Sequence, residues 1–374
     1  MARTLRSDKL LFGATVGLVS ISVVMVFSAS AATAFAEHST PAYYFAKQLA
    51  WAVIGIALML TAMRIDYHRY NQAPLIWGLL AVTAVALVAV FGFAERNGTH
   101  RWLILGPISL QPSEAAKLAV IFFAAALLER RMHRINEIPY ALLPIMIVTG
   151  AVAGLILAEP DFGTSAMVIT IVAAMLFTAG LSYRYVIGAA LLLLPAAMVI
   201  VITAAYRMRR ILSFLDPWED AQGSGYQAVQ SFIALGSGGL LGRGLMNGVQ
   251  KLFYLPYAHT DFIFAVVGEE LGLIGTTGIL ICFVVIAWRG LRAALLAPDR
   301  YGSLLAVGLT TMVAVQGFIN MSVNIGLLPT KGIPLPFVSN GGSSLIVNLV
   351  AMGILLNISQ QASPVAAAAI EARK

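Results

Sequence analysis

The chain has 374 residues, of which 59% are hydrophobic and only 11% are charged, and its formal net charge at pH 7 is +7. A soluble domain carries roughly 25% charged residues and could not cover so much apolar surface, so the composition argues against a water-soluble protein and favours a polytopic membrane protein. In such a protein the positive charge indicates topology rather than a nucleic-acid partner, and a single cysteine excludes an intrachain disulfide.

Apolar runs between charged residues and Pro/Gly breaks predict an all-α fold with about ten transmembrane helices. The predicted spans are Leu10–Phe35, Phe45–Met63, Pro74–Phe93, Ser113–Leu128, Pro139–Ala158, Phe162–Leu181, Tyr185–Ala205, Asp261–Trp288, Tyr301–Ile325 and Ser343–Ile358. The first run is too long for the apolar region of a signal peptide, so it is retained as a helix. Residues 1–360 then form a single membrane domain with a large extracytoplasmic loop at 206–260, and the small-residue tail 361–374 is expected to be disordered.

The distribution of Lys and Arg predicts the orientation. With ten spans both termini lie on one side, and fourteen of the 24 basic residues fall on that side, which is therefore predicted to be cytoplasmic. Most of the other basic residues fall in or beside the outer segments 96–112, 207–260 and 326–342. Either long loops tolerate any charge, or an anionic substrate binds at the outer face.

Two acidic motifs precede the large loop. In QPSEAAKLAV, Pro112 suits the first helical position, and Glu114 and Lys117 share one helix face. They form either a self-satisfied ion pair or a pair whose lysine meets an anion just below the outer surface. In AEPDFGT, Asp161 occupies a turn between two spans; it is a second candidate acid, with turn formation as the alternative.

The string HTDFIFAVVGEELG opens the eighth span with Asp261, next to His259. One interpretation is capping, with Thr260 as N-cap and an acid in the first turn. The other is a partly desolvated carboxylate that works as a general base at the outer mouth of the helix. Deeper in the same predicted helix, Glu269 and Glu270 have either a structural ion-pair role or a direct one.

Two further segments are suited to anions. Arg207, Arg209 and Arg210 lead into the large loop, where they either bind phosphate or hold the loop. The stretch IPLPFVSNGGSSL joins a Pro-rich loop to a Gly-Ser helix start, whose backbone amides are a candidate anion cradle. The sequence contains no metal signature, Walker A loop, Rossmann fingerprint or Ser-His-Asp arrangement, which disfavours ATP-driven transport by this chain alone.

Six strings in order resemble the SEDS family (shape, elongation, division and sporulation). They are RWLILGPISLQPSEAAKLA, EPDFGTS, YRMRRILSFLDPWED, GSGYQAVQS, VQKLFYLPYAHTDFIFAVVGEELG and LLPTKGIPLPFVSNGGSS. The resemblance runs over all ten spans and is closer to the division branch than to the rod-elongation branch. Two positions depart from the common pattern: Tyr257 replaces a frequent Glu, and Asn340 replaces a frequent Tyr.

The resemblance implies a peptidoglycan glycosyltransferase of the bacterial cytoplasmic membrane that joins lipid II units at the outer face. It identifies Asp261 as the essential aspartate, and we expect this residue to be the general base of an inverting displacement of undecaprenyl pyrophosphate. The sequence indicates no certain cofactor, and a divalent cation is a candidate to share the stabilisation of pyrophosphate. The predicted substrate-binding residues are Arg101, Glu114, Lys117, Arg207, Arg210, His259, Lys331, Ser339, Gly341, Gly342 and Ser343, with Asp161, Glu269 and Glu270 as structural or secondary residues.

The expected partners are lipid II, the growing glycan strand, the lipid bilayer, other division proteins and a class B penicillin-binding protein that supplies the transpeptidase. Two other functions use the same features. A lipid II flippase would need a polar path through the bilayer, and a non-catalytic division scaffold would not need Asp261.

Overall fold

The computed structural model of the protein describes residues 8–93, 99–106, 108–203 and 205–362. Twelve α-helices fill most of this part of the chain. They are α1 (Lys9–His38), α2 (Tyr43–Arg64), α3 (Ala73–Ala89), α4 (Pro112–Arg131), α5 (Leu143–Ala158), α6 (Phe162–Thr178), α7 (Tyr183–Ile202), α8 (Ala205–Leu215), α9 (Tyr226–Gly238), α10 (Ile263–Leu296), α11 (Arg300–Asn324) and α12 (Gly342–Gln360). Short 3₁₀ and π-helical turns lie at Tyr67–Asn71, Val90–Gly92, Met132–Arg134 and Ile138–Leu142.

The predominantly helical character of the prediction is confirmed, and each predicted span coincides with one of these helices. Seven helical segments of the described chain are long and apolar enough to cross a membrane. Phe162–Thr178 and Tyr183–Leu192 are apolar but shorter, and α4 is interrupted by buried charges. The count of ten spans therefore stays a prediction, as does disorder of the tail, of which residues 363–374 lie outside the described residues.

Two predictions about the connecting segments need correction. The segment 206–260 is not simply a loop, because α8 and α9 lie within it and α9 packs against α10. The chain is also not purely α-helical: strands β1 (Leu103–Leu105) and β2 (Ile108–Leu110) form a small antiparallel hairpin ahead of α4. Apolar residues that include the β-branched Ile104 and Ile108 favour the strands, and Gly106 adopts the positive φ of 63° that the turn requires.

The centre of the protein consists of α4, α11 and α12. Fifteen of the twenty residues of α4 are buried, and the apolar windows of α11 and α12 are each 72% buried. The helices α2, α3, α6 and α10 pack around this centre, and α1 packs against α2 and α10. Helix α7, by contrast, exposes large apolar side chains such as Leu191 and Leu192, as expected of a helix that faces lipid.

The eighth predicted span is not one continuous helix. At Gly272 the backbone has φ 65° and ψ −160°, so α10 consists of two helical pieces joined at a break. The segment after α9 inserts beside this break and supplies backbone hydrogen bonds: Arg243 N–H donates to Glu269 O (2.9 Å), Gly244 N–H to Glu270 O (3.0 Å), and Leu273 N–H to Gly239 O (3.0 Å). A broken helix is tolerated at membrane depth only when its backbone groups find such partners.

Candidate active site

Asp261 lies just before α10, at the mouth formed by the ends of three segments. Its backbone N–H donates to Tyr257 O (3.1 Å) in a tight turn. The loop between α11 and α12 lies directly opposite, and a Cβ on Gly332 would come within 3.2 Å of the Asp261 carboxylate. The glycine at that position therefore lets the loop backbone approach the acid closely.

Two buried amides of α11 hold the Asp261 peptide group. Asn320 Nδ2 donates to Asp261 O (2.9 Å) and to Ile333 O (2.8 Å), which ties the acid and the loop opposite to one side chain. Asn324 Nδ2 lies 3.3 Å from Asp261 O, and its Oδ1 accepts from Ala265 N–H at 3.2 Å. The backbone of Asp261 is thus fixed both by the turn of its own loop and by two amides from the centre of the protein.

The carboxylate of Asp261 does not cap α10. In the described chain no backbone N–H donates to it, and the helix begins without a side-chain cap. Thr260 is not the N-cap either, because its hydroxyl donates to Tyr257 O. Burial raises the pKa of Asp261 to about 6, while the positive charges of Arg101 and Arg210 lower it and Asp161 raises it. A carboxylate with this pKa suits general-base chemistry near neutral pH.

Two of the predicted cations lie near this acid, and a third, Lys331, lies in the loop opposite it. Arg101 and Arg210 are close enough to bias its ionisation, and Arg210 donates to Thr330 O (3.4 Å) in the loop that carries Lys331. The ammonium of Lys331 lies 4.4 Å from the centre of the Phe162 ring, and burial lowers its pKa, with Asp161 opposing the change. The side chain of another predicted cation, Arg207, lies outside the described part of the chain.

Asp161 has the turn-forming role that was the alternative reading of its motif. It caps α6, accepting from Thr164 N–H (3.1 Å) and from the Thr164 hydroxyl (2.8 Å), and Arg101 lies 3.9 Å away. Its neighbour Glu159 is fully buried, and within the described residues neither of its carboxyl oxygens has a hydrogen-bond partner. Burial and the charge of Asp161 raise the pKa of Glu159 to about 8. The sequence interpretation overlooked Glu159, although it belongs to the same motif.

Glu114 and Lys117 form the predicted ion pair and lie deeper than Asp261. Lys117 Nζ is 2.9 Å from Glu114 Oε1 and 2.6 Å from Gln316 Oε1, and both charged side chains are almost completely buried. Gln316 Nε2 in turn donates to Pro334 O (3.0 Å). The pair is therefore connected to the loop opposite Asp261 through one amide of α11.

The residues predicted at the start of α12 mainly connect protein segments. Ser339 donates to Thr260 O (2.5 Å), and the Ser343 hydroxyl accepts from Gln111 N–H (3.3 Å). A Cβ on Gly342 would lie 2.5 Å from the Trp51 ring, so this glycine permits close packing of α12 on α2. His259 packs on the ring of Tyr44 at 5.0 Å and accepts Asn340 N–H (3.0 Å) through its carbonyl. Gly341 precedes α12 in extended backbone, and the anion cradle stays a prediction.

Glu269 and Glu270 are not beside Asp261 but anchor the segment that inserts at the break in α10. Glu270 pairs with Lys251 (2.7 Å) and accepts from the Ser28 hydroxyl (2.7 Å). Glu269 accepts from Val249 N–H (2.8 Å) and lies 3.6 Å from Arg243. These contacts match the structural ion pair that was one of the two sequence interpretations.

The amides of α11 are the main feature that the sequence interpretation missed. Gln316, Asn320 and Asn324 are spaced four residues apart, so they lie on one helix face. All three are buried, and together they join α4, α10 and the loop before α12. Their spacing within an apolar span is a signal that could have identified them, because buried polar groups in a membrane helix need partners.

A divalent cation has no evident ligand set in the ranges that the structure describes, where no three His, Cys, Asp or Glu side chains cluster as metal ligands would. Among the described residues, Asp161 lies near two other carboxyl groups, those of Glu159 and Asp261, since its charge raises the pKa of both. A divalent cation therefore stays a prediction without an assigned position.

Comparisons with known proteins agree over nearly the whole chain. Residues 8–364 match the FtsW/RodA/SpoVE family, described as cell cycle protein. The chain is 42% identical over 356 residues to the probable peptidoglycan glycosyltransferase FtsW of Geobacter metallireducens, with 95% of each chain covered. It is 41% identical over 354 residues to the stage V sporulation protein E of Bacillus subtilis, covering 94% of this chain and 97% of that protein.

Two solved structures are similar in fold. A chain of a peptidoglycan synthase complex, whose structure concerns the coordination of polymerization and crosslinking, has a TM-score of 0.77 at 31% identity, with 94% of this chain and 97% of that chain covered. The rod shape determining protein RodA of Thermus thermophilus has a TM-score of 0.71 at 27% identity, with 96% and 98% covered. The similarity thus includes the whole described helical bundle.

Proposed function

This chain belongs to the FtsW/RodA/SpoVE family of cell cycle proteins, and we propose that it is a peptidoglycan glycosyltransferase that polymerises lipid II into glycan strands with Asp261 as the general base. The relatives named FtsW, at 42% identity, favour a role in cell division over one in elongation, since the RodA structure is 27% identical. One observation carries the proposal for the site. The Asp261 backbone is fixed by a hydrogen bond from Asn320, and its carboxylate does not cap α10 but lies near Arg101 and Arg210.

In the proposed reaction Asp261 removes the proton from the 4-hydroxyl of the acceptor sugar. The hydroxyl oxygen attacks the anomeric carbon of the donor, the bond from that carbon to the pyrophosphate oxygen breaks, and undecaprenyl pyrophosphate leaves with the bonding electrons. One displacement inverts the α-linkage to β. Pyrophosphate is a good leaving group, so cations can replace the acid that an inverting glycosidase uses. Arg101, Arg210 and Lys331 are proposed for this stabilisation, and Arg207 is a further candidate. The buried Glu114–Lys117 pair is proposed to support these residues from deeper in the protein.

The proposed topology has ten spans, both termini in the cytoplasm and Asp261 at the outer face, in agreement with the excess of basic residues on the opposite side. The similarity to a chain of a peptidoglycan synthase complex supports a partner that crosslinks the strands. We infer that this partner is a class B penicillin-binding protein, which would supply the transpeptidase.

The test is glycan polymerisation from purified lipid II by the full-length protein together with its transpeptidase, comparing the wild type with Asp261→Asn. Loss of a general base is expected to lower the rate by about 10²–10⁴-fold, while lipid II binding by the variant stays intact. Equal polymer from both proteins would move the base elsewhere, first to Asp161. Transport of lipid II across vesicle membranes without polymer from either protein would favour a flippase, and cell-wall synthesis unaffected by the substitution would favour a scaffold.

A further inference from the structure

A basic cavity lies at the end of α10 that is farthest from Asp261. Its volume is about 390 Å³, and the polar residues that line it are Asp8, Lys9, Arg289, Arg292 and Ser359. These residues come from the start of α1, the second half of α10 and the end of α12. The second helical piece of α10 alone rises about 24 Å from Leu273 to Arg289 at 1.5 Å per residue, which is most of the roughly 30 Å hydrocarbon core of a bilayer. The cavity and Asp261 therefore lie towards opposite ends of α10.

The single acid in this cavity is already neutralised. Asp8 caps α1 by accepting from Leu10 N–H and Leu11 N–H through Oδ1, each at 3.1 Å. Its other oxygen, Oδ2, lies 2.5 Å from Arg289 Nε. Asp8 and Arg289 are therefore fixed by each other, and neither charge is left over for an ion pair with another group.

The other two cations have no such partner. Within the described residues, Lys9 and Arg292 make no ion pair and no side-chain hydrogen bond, and both are exposed at the cavity. Within the part of the chain that the structure describes, two positive charges from two different helices thus converge on one concave surface without a free counter-charge. Like charges held together repel, and an anion between them would relieve that repulsion.

The surroundings of the cavity are apolar. Leu10, which is 54% exposed, lines it together with Ala293, Leu296 and Ala362. Trp288 is also exposed, next to Arg289 in the sequence, and Trp is enriched at the membrane–water interface. A free phosphate ion would gain nothing from these side chains, whereas a phospholipid would place its acyl chains against them.

We propose that this cavity binds the phosphate headgroup of an anionic phospholipid in the leaflet opposite the active site. The Arg292 guanidinium supplies a planar pair of donors that matches a phosphate, and the Lys9 ammonium supplies a second charge on the other side. Basic pockets between transmembrane helices bind anionic headgroups in this manner. That the leaflet is the cytoplasmic one rests on the proposed orientation, whereas the binding itself does not.

Binding is tested with the purified full-length protein in phosphatidylcholine nanodiscs, titrated with fluorescent phosphatidylglycerol in the absence of lipid II. Each cation near a phosphate contributes about 1 kcal/mol, or about fivefold in affinity, so Lys9→Gln and Arg292→Gln should each weaken binding about fivefold. The double variant should weaken it about 30-fold. Both side chains are exposed, so the fold should be preserved.

Arg130→Gln is the matched control, because Arg130 is an exposed arginine in the last turn of α4 that does not line the cavity. It should bind phosphatidylglycerol like the wild type. Equal affinity of the wild type and the double variant would overturn the proposal, and so would an equal loss in the control. Displacement of the lipid by inorganic phosphate at similar concentration would also overturn it, in favour of a free-phosphate site. None of these outcomes touches the glycosyltransferase proposal, which is measured by polymerisation.

Discussion

Replacing Asn320 with Leu should separate the positioning of Asp261 from its chemistry. Asn320 is buried in α11, and its single amide group donates to Asp261 O (2.9 Å) and to Ile333 O (2.8 Å). Leucine has the same branching as asparagine but is larger and has no donor, so the substitution removes both hydrogen bonds and opens no cavity. The Asp261 carbonyl oxygen then keeps only the longer contact from Asn324, at 3.3 Å.

The expected cost follows from these two bonds. Each hydrogen bond contributes a net 0.5–1.5 kcal/mol, so the free energy of unfolding should fall by about 1–3 kcal/mol. The effect on the reaction should be larger than this loss suggests. A catalytic group displaced by about 1 Å can lower the rate on the order of 10²-fold, and the cations that hold the pyrophosphate are not altered. We therefore expect kcat to fall about 10²-fold while KM for lipid II changes little.

The assay is glycan polymerisation at several lipid II concentrations, with the folded fraction measured by thermal unfolding. Asn348→Leu is the matched control, since Asn348 is equally buried but donates only to Ser344 within its own helix. The control should lose some stability and keep its kcat. If the folded Asn320→Leu protein polymerised at the wild-type rate, or if the control lost as much kcat, the positioning role of Asn320 would be refuted.

Three other predictions concern protonation, a buried ion pair and the helix break. Polymerisation should rise with pH through a midpoint near 6, the pKa to which burial raises Asp261, and a rate independent of pH from about 5 to about 8 would contradict the base assignment. That pKa exceeds the ordinary value of 3.8, so ionisation of Asp261 destabilises the folded state. Asp261→Asn should therefore raise the free energy of unfolding above pH 6 by no more than about 3 kcal/mol. This gain should shrink as the pH falls towards about 4. Lys251→Met leaves Glu270 buried without its partner at 2.7 Å and should lower the free energy of unfolding by about 3–5 kcal/mol. Adding Glu270→Leu should recover most of this loss. Equal melting temperatures of the single and double variants would contradict the predicted role of the ion pair. Gly272→Ala should prevent folding, because φ is +65° and the added Cβ would lie 2.4 Å from the backbone nitrogen of Gly242. Gly278→Ala is the control: its Cβ would meet no atom within 4 Å, so this variant should express and melt like the wild type.

Local patterns were sufficient for the helices and for the charged residues around the mouth. An apolar run of membrane length has to become a helix, because lipid offers its backbone no hydrogen bonds, and each predicted span coincides with a helix. The three-residue spacing of Glu114 and Lys117 already places them on one helix face, and the structure joins them at 2.9 Å. Asp261 was identified by the resemblance to the SEDS family, because an acid at the start of a helix can equally be a cap, as Asp8 and Asp161 are.

The break in α10 could not be predicted from the sequence around it. The string GEELGLIG continues an apolar helical pattern, and a glycine within a helix is usually tolerated. The positive φ at Gly272 is stable only because the segment after α9 supplies Gly239 O to Leu273 N–H and backbone donors to Glu269 O and Glu270 O. That segment was predicted as part of a plain loop, since its own sequence does not reveal which helix it contacts.

The sequence by itself thus determined the membrane class of the protein, its helices and the aspartate on which the proposed chemistry depends, because burial in lipid and charge are properties of short segments. Only the tertiary structure decided how that aspartate is held and what surrounds it. Asn320 and Asp261 are 59 residues apart, and Arg101 influences an acid 160 positions further along the chain. Such contacts depend on helix packing between distant segments, which no local periodicity encodes.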